Sequence, residues 1–205
     1  MSTTIEVYPS SANIPTCGAV LRIAEQRLST RLDSLDVSVS VRLSVEYHAN
    51  DESQLVLLPT EEPMRCDSNG YLWVQLQGVL GGTDGYFRSN TELDLECWNE
   101  LYQEVRLPRE FVRGCVEVGH HWSFRRSAGQ PGAVNLAYGF VAAALAELTE
   151  GFVYSDDSAW DYERFPARAE EFHKWYFEPT EAISAVHAEW ARRCLKDIEG
   201  DFSIK

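Results

Sequence analysis

From Val37 to His48 the chain alternates without interruption. Val37, Val39, Val41, Leu43, Val45 and Tyr47 fall on one parity, and Ser38, Ser40, Arg42, Ser44, Glu46 and His48 on the other. An extended backbone turns successive side chains to opposite faces, so this run predicts a strand with one buried and one wet face. Such strands belong to antiparallel sheets, because parallel sheets are covered on both faces and read as continuously apolar. The segment therefore calls for a sheet with one face on a core and the other at least partly in water.

Shorter runs join it. Thr4–Tyr8, Gln54–Leu58, Tyr71–Val79 and Val116–Phe124 read as further strands, and Phe152–Tyr154 as a short one; the turn-rich stretch Pro59–Gly70 separates the second and third. Helical spacing appears over Ala19–Leu32, Pro166–Tyr176 and Glu181–Ile198, the last with Ile183, Val186, Trp190 and Leu195 inward. In Pro131–Glu150, Pro131 suits a first turn and Gly151 a stop. Val134, Tyr138, Val141, Leu145 and Leu148 form a stripe that Leu136, Phe140 and Ala144 widen, so this helix is expected to be deeply buried. Strands come first and helices later, with no repeat, low-complexity tract or linker. The 205 residues read as one α+β domain over 1–205: a mostly antiparallel sheet from the N-terminal half packed against helices from the C-terminal half.

The five cysteines (Cys17, Cys66, Cys97, Cys115, Cys194) are odd in number, widely spaced and lack a CxxC pair, which argues against a disulfide framework and a structural zinc. MSTTIEVYPS has neither the basic nor the apolar region of a secretory signal. The apolar stretch Ala133–Leu148 is interrupted and too short to span a bilayer, so no membrane partner is expected. A cytoplasmic location follows as the expectation.

Net charge is −14, and the acid is local. Asp51–Glu104 carries eleven carboxylates against Arg65 and Arg88, and Glu147–Glu171 carries eight against Arg164 and Arg168. Between them Val105–Ala146 holds five arginines against Glu110 and Glu117. Direct nucleic-acid binding is disfavoured, because phosphate recognition needs clustered Lys and Arg. One-signed fields attract basic surfaces and speed encounter, so a basic protein partner is the natural reading.

Glu92, Asp94 and Glu96 are the sharpest candidates. As a strand, Thr91–Trp98 puts all three on one face; as a helix capped near Asn90, the i, i+4 spacing stacks Glu92, Glu96 and Glu100 instead. Either way a row of carboxylates faces one direction, against the plain alternative of a solvated face. Asp84, in the loop GGTDGYF, adds to it. Asp156, Asp157 and Asp161 bracket Trp160 in SDDSAWDYERF and read as a second contact cluster: an exposed aromatic anchor with charges at its rim. The plain alternatives are a helix cap and a core tryptophan. A calcium loop would need alternating ligands and a central glycine, which this run lacks. His120 and His121 point to opposite faces of a strand and suit no shared metal, and His173 has no nucleophile beside it. GVLGGTDG lacks the GK[ST] ending of a phosphate loop, and neither GxSxG nor HExxH occurs. No catalytic, cofactor-binding or metal-binding residue is assigned.

The stretch Gly129–Phe177, GQPGAVNLAYGFVAAALAELTEGFVYSDDSAWDYERFPARAEEFHKWYF, resembles the C-terminal half of bacterial polymorphic-toxin immunity proteins of the immunity protein 52 type. The likeness lies in the buried helix with Gly151 behind it, the short strand, SDDSAWD, FPARAEEF and the aromatic WYF, about a quarter of the chain. It implies an antitoxin whose partner is a cognate toxin, a nuclease of restriction-endonuclease-like fold such as a type VI secretion effector. A nuclease presents a basic cleft to its substrate, and an acidic protein can occupy that cleft. The expectation is an immunity protein meeting its toxin through Asp84, Glu92, Asp94 and Glu96 and through Asp156, Asp157, Trp160 and Asp161. Two rivals stand beside it: a small metal-dependent hydrolase using the Asp156–Asp161 loop with a histidine, and a secretion-system scaffold protein that self-assembles.

Overall fold

A computed structural model describes residues 2–49, 55–101 and 106–202. Seven strands form one antiparallel sheet: β1 (Thr3–Tyr8), β2 (Leu43–Ala49), β3 (Leu55–Leu57), β4 (Gly70–Leu76), β5 (Thr83–Ser89), β6 (His120–Arg126) and β7 (Phe152–Tyr154), in the order β3-β2-β4-β5-β6-β1-β7. The helices are α1 (Cys17–Asp33), α2 (Glu92–Leu101), α3 (Arg109–Glu117), α4 (Gly132–Leu148), α5 (Ala169–Trp175) and α6 (Ala185–Lys196). The fold class is α+β, with most strands early and most helices late.

The alternating parity decides which side of the sheet is buried. Ile5 and Val7, Val45, Leu72 and Val74, and Trp122 and Phe124 turn to one face, where they join α1 and α4 in the main core. Helix α4 is enclosed, every residue from Gly132 to Ala146 being buried. Gly139 is the point of closest approach: a Cβ there would lie 2.1 Å from the Tyr176 ring, whose hydroxyl donates to the Asn135 carbonyl at 2.6 Å.

Several expectations change in the folded chain. The alternation over Val37–His48 keeps its burial parity, but only Leu43 onward is strand: among the described residues the ladder to β4 starts there, with one further bond from the Gln77 amide to the Arg42 carbonyl. The predicted loop GGTDGYF is largely β5. Its glycines make room for rings: a Cβ on Gly85 would lie 2.9 Å from the Phe124 ring, and one on Gly82 2.7 Å from Trp73. The predicted strand Val116–Phe124 begins as the end of α3, turns at Gly119 (φ +91°) and pairs only from His120. Thr91–Trp98 resolves to helix. Of the four residues expected inward in the last helix, Trp190 and Leu195 pack against the core beside the buried Ala188 and Ala191, whereas Val186 faces outward at 76% exposed and Ile183, 53% exposed, lies before α6 begins. Small residues sit where α6 comes nearest to α4: a Cβ on Gly132 at the start of α4 would lie 2.4 Å from the Cys194 carbonyl oxygen of α6. Gln54, the first residue of one predicted strand, lies outside the described residues, as do Asp51, Glu52 and Glu104 of the first acidic block.

Candidate functional site

Among the described residues, the second face of the sheet is covered at one end only. There α2 and α3 pack on Tyr8 of β1 and Phe152 of β7, with Trp98, Val112, Cys115 and Val116 closing a small second core. Beyond this cover the face is open, and its register sets Glu6 beside Ser123, Ser123 beside Tyr86, and His121 beside Arg88. These residues floor a hollow of about 1110 Å³. Its walls come from three segments distant in the chain: Asp67 and Ser68 before β4, Thr91 and Asp94 at the start of α2, and Asp156 and Asp157 after β7. The two acidic blocks of the sequence meet here. Arg88, itself exposed, is the one cation among the lining residues.

The chemistry of each group follows from its surroundings. The Thr91 amide and hydroxyl donate to Asp94 Oδ2 at 2.6 and 2.7 Å, a reciprocal arrangement that caps α2. Burial pushes the Asp94 carboxyl up, but these two Thr91 bonds hold it below the ordinary aspartate value. Glu6 is raised, mainly by burial, against a hydrogen bond from the Tyr8 hydroxyl at 2.9 Å. His121 lies 2.6 Å through Nδ1 from Asn90 Oδ1 and stacks on Tyr8, and burial pushes its imidazole down to about 4.

The predicted contact residues divide. Asp94, Asp156 and Asp157 line the hollow. Glu92 and Glu96 are exposed on α2 outside it, in the helical row with Glu100. Asp84 is on β5 between Trp73 and Arg125, half-buried and outside the hollow; burial raises its carboxyl and Arg125 lowers it. Two predicted contacts are overturned. Trp160 is fully buried among Tyr176, Phe177 and Trp190, because the aromatic cluster behind α4 needs its volume. Asp161 is buried as well, accepting from the Ile183 amide at 2.7 Å, the Ser184 amide at 3.0 Å and His187 Nδ1 at 2.9 Å, and so anchors the start of α6.

That geometry also bears on a hydrolytic loop. Asp161 is committed to three donors, and His187 Nε2 faces the Ser158 carbonyl at 3.4 Å. Among the described residues no three His, Cys, Asp or Glu side chains converge on a metal position.

Glu6, Tyr86, Arg88, His121 and Ser123 went unnoticed in the sequence as site residues. Thr4 and Glu6 alternate with Ile5 and Val7, which marks β1 as wet on one side. Nothing comparable marks Tyr86 or Arg88, since a glycine-rich segment hides their strand.

Comparison with protein-family models, with curated proteins and with solved structures finds no match for this chain. No helix among the described residues is long and apolar enough to cross a membrane.

Proposed function

We propose that this chain is an immunity-type binding protein that captures a cognate toxin in the cytoplasm, one to one, with the acidic hollow seated on the toxin's basic active-site region. One observation carries this reading: carboxylates from two acidic blocks far apart in sequence are folded around a single concavity. Asp67, Asp94 and Asp157 each serve a local hydrogen bond as well, but gathering them with Asp156 around one concavity leaves a mutual repulsion that only Arg88 among the lining residues offsets. A basic surface relieves that repulsion and is drawn in by it, which raises the association rate. The likeness of Gly129–Phe177 to polymorphic-toxin immunity proteins suggests the partner class, a secreted nuclease.

The test is charge reversal inside the hollow, with Asp67→Lys and Asp156→Lys combined. The double variant should stay folded, melting somewhat below the parent because Asp67 accepts from the Tyr47 hydroxyl and the Asn69 amide, yet lose affinity for an inactivated toxin encoded beside this gene, and cells carrying it should die when that toxin is expressed. Unchanged affinity and full protection would sink the proposal.

A further inference from the structure

The floor of the hollow holds two nearly buried polar side chains, each with an unengaged atom that the hollow leaves accessible. Ser123 is 6% exposed, and its hydroxyl has no hydrogen-bond partner among the described residues. His121 is 5% exposed, and only its Nδ1 is engaged. Both line the hollow. Neither Ser123 Oγ nor His121 Nε2 is sealed from water: both reach the hollow from nearly buried residues, so an occupant can engage them.

The role of His121 follows from its neighbour. Asn90 Nδ2 donates to the Val116 carbonyl at 2.7 Å, which turns Asn90 Oδ1 towards the imidazole. The proton therefore resides on His121 Nδ1, and Nε2 carries a free lone pair. Burial keeps the ring neutral at physiological pH, so Nε2 is an acceptor. The same hollow is lined by the carboxyls of Asp94, Asp156 and Asp157, acceptors all. The hollow offers many acceptors and few donors.

An occupant must supply the donors. The acceptors are spread over the floor and three walls and do not converge on one point, which suits an extended cation better than a metal ion. A guanidinium carries five N–H donors in a planar fork and no acceptor, whereas an ammonium directs three donors from a single atom. Tyr86 on the floor already takes one guanidinium against its ring, that of Arg88 at 5.1 Å from the centroid.

Resting on the reading of the hollow as the partner-binding site, we infer that it receives an arginine side chain projected by the partner protein, with His121 Nε2 and Ser123 Oγ as the acceptors on the floor and Asp94 and Asp156 on the walls. Arginine is thereby selected over lysine.

The experiment titrates the full chain with N-acetyl-arginine amide, N-acetyl-lysine amide and the neutral N-acetyl-citrulline amide, following the imidazole nitrogens by NMR. The arginine probe should move the His121 Nε2 resonance and bind about fivefold or more tighter than the lysine probe, with citrulline weaker still. Ser123→Ala should weaken the arginine probe about threefold to tenfold. His121→Phe should do at least as much, with the dispersion of the remaining resonances reporting whether it folds. Equal binding of the arginine and lysine probes, a motionless His121 signal, or a Ser123→Ala chain that binds like the parent each overturns the inference. If the arginine probe fails while Asp67→Lys with Asp156→Lys still abolishes toxin capture, this inference falls and the docking reading stands. Toxin capture indifferent to that charge reversal overturns both.

Discussion

Asp157 Oδ1 accepts a hydrogen bond from the Thr4 backbone amide at 2.9 Å, tying the loop after β7 to β1 across 153 positions of the chain. It also accepts from Ser155 Oγ at 3.1 Å, while its neighbour Asp156 is exposed and makes no hydrogen bond among the described residues. Two adjacent aspartates on one rim thus have different work. Asp157→Ala should lower unfolding free energy by about 1–2 kcal/mol, because it strands a backbone donor on a strand end. Asp156→Ala should stay within about 0.5 kcal/mol of the parent. Urea unfolding of the two variants checks this, and equal losses would show that the Thr4 bond contributes nothing.

Asp161 and Trp160 should behave as structural residues. Asp161→Ala removes the acceptor of three donors at once and should destabilise by about 3 kcal/mol or more. Trp160→Ala empties the centre of an aromatic cluster and should cost about 3–5 kcal/mol. A toxin-affinity loss in either variant should track the fraction unfolded. An affinity loss in fully folded Trp160→Ala would return this residue to the contact surface.

These residues show where the sequence was readable. Alternation through Leu43–Tyr47 gave that strand and its buried parity, and Thr4–Tyr8 read as a strand, because an antiparallel sheet with one polar face writes its pattern directly. The all-apolar helix α4 was legible for the same reason in reverse. Strand β5 was not, because Gly82 and Gly85 are there to admit the Trp73 and Phe124 rings, and sequence alone reads glycine as turn. The face of α6 was read correctly at Trp190 and Leu195 but not at Val186, because the inward positions nearer its start are the small Ala188 and Ala191. Of the candidate site, the acidic walls were visible as charge density. Its floor was not, since it exists only once β1, β5 and β6 are set in register.

Gly139→Ala tests the tight contact between α4 and Tyr176. The added methyl would meet the Tyr176 ring at 2.1 Å, inside a helix buried on every side. The ring cannot withdraw without breaking its bond to the Asn135 carbonyl. The gain in helix propensity, about 1 kcal/mol, should be outweighed by overpacking of about 1–3 kcal/mol and the lost hydrogen bond. Thermal unfolding should show a net fall in Tm; a rise would mean that α5 moves freely relative to α4.

The sharpest pH dependence should come from two histidines. Burial pushes both His121 and His173 down to about 4. Around His173, Arg27 adds to the depression and Glu147, 3.7 Å away, opposes it. The unfolded imidazoles titrate near the ordinary 6.5, so between about 6.5 and 4 the unfolded chain binds more protons than the folded one. Stability therefore holds above the unfolded value and is lost as pH falls through this window, by up to about 3 kcal/mol for each histidine. The Glu6 carboxyl acts in the opposite sense: raised by burial, it contributes most below its unfolded value and loses that contribution as pH rises. It therefore offsets part of the acid loss. His173→Phe, whose ring would lie against Phe140 and Phe172, should remove one histidine's share and flatten the profile. Arg27→Gln should do part of the same by letting the His173 value rise. Urea midpoints at about pH 7.5 and about pH 5, with NMR titration of the two imidazoles, decide the matter. A parent chain equally stable at both would mean that these rings are open to water.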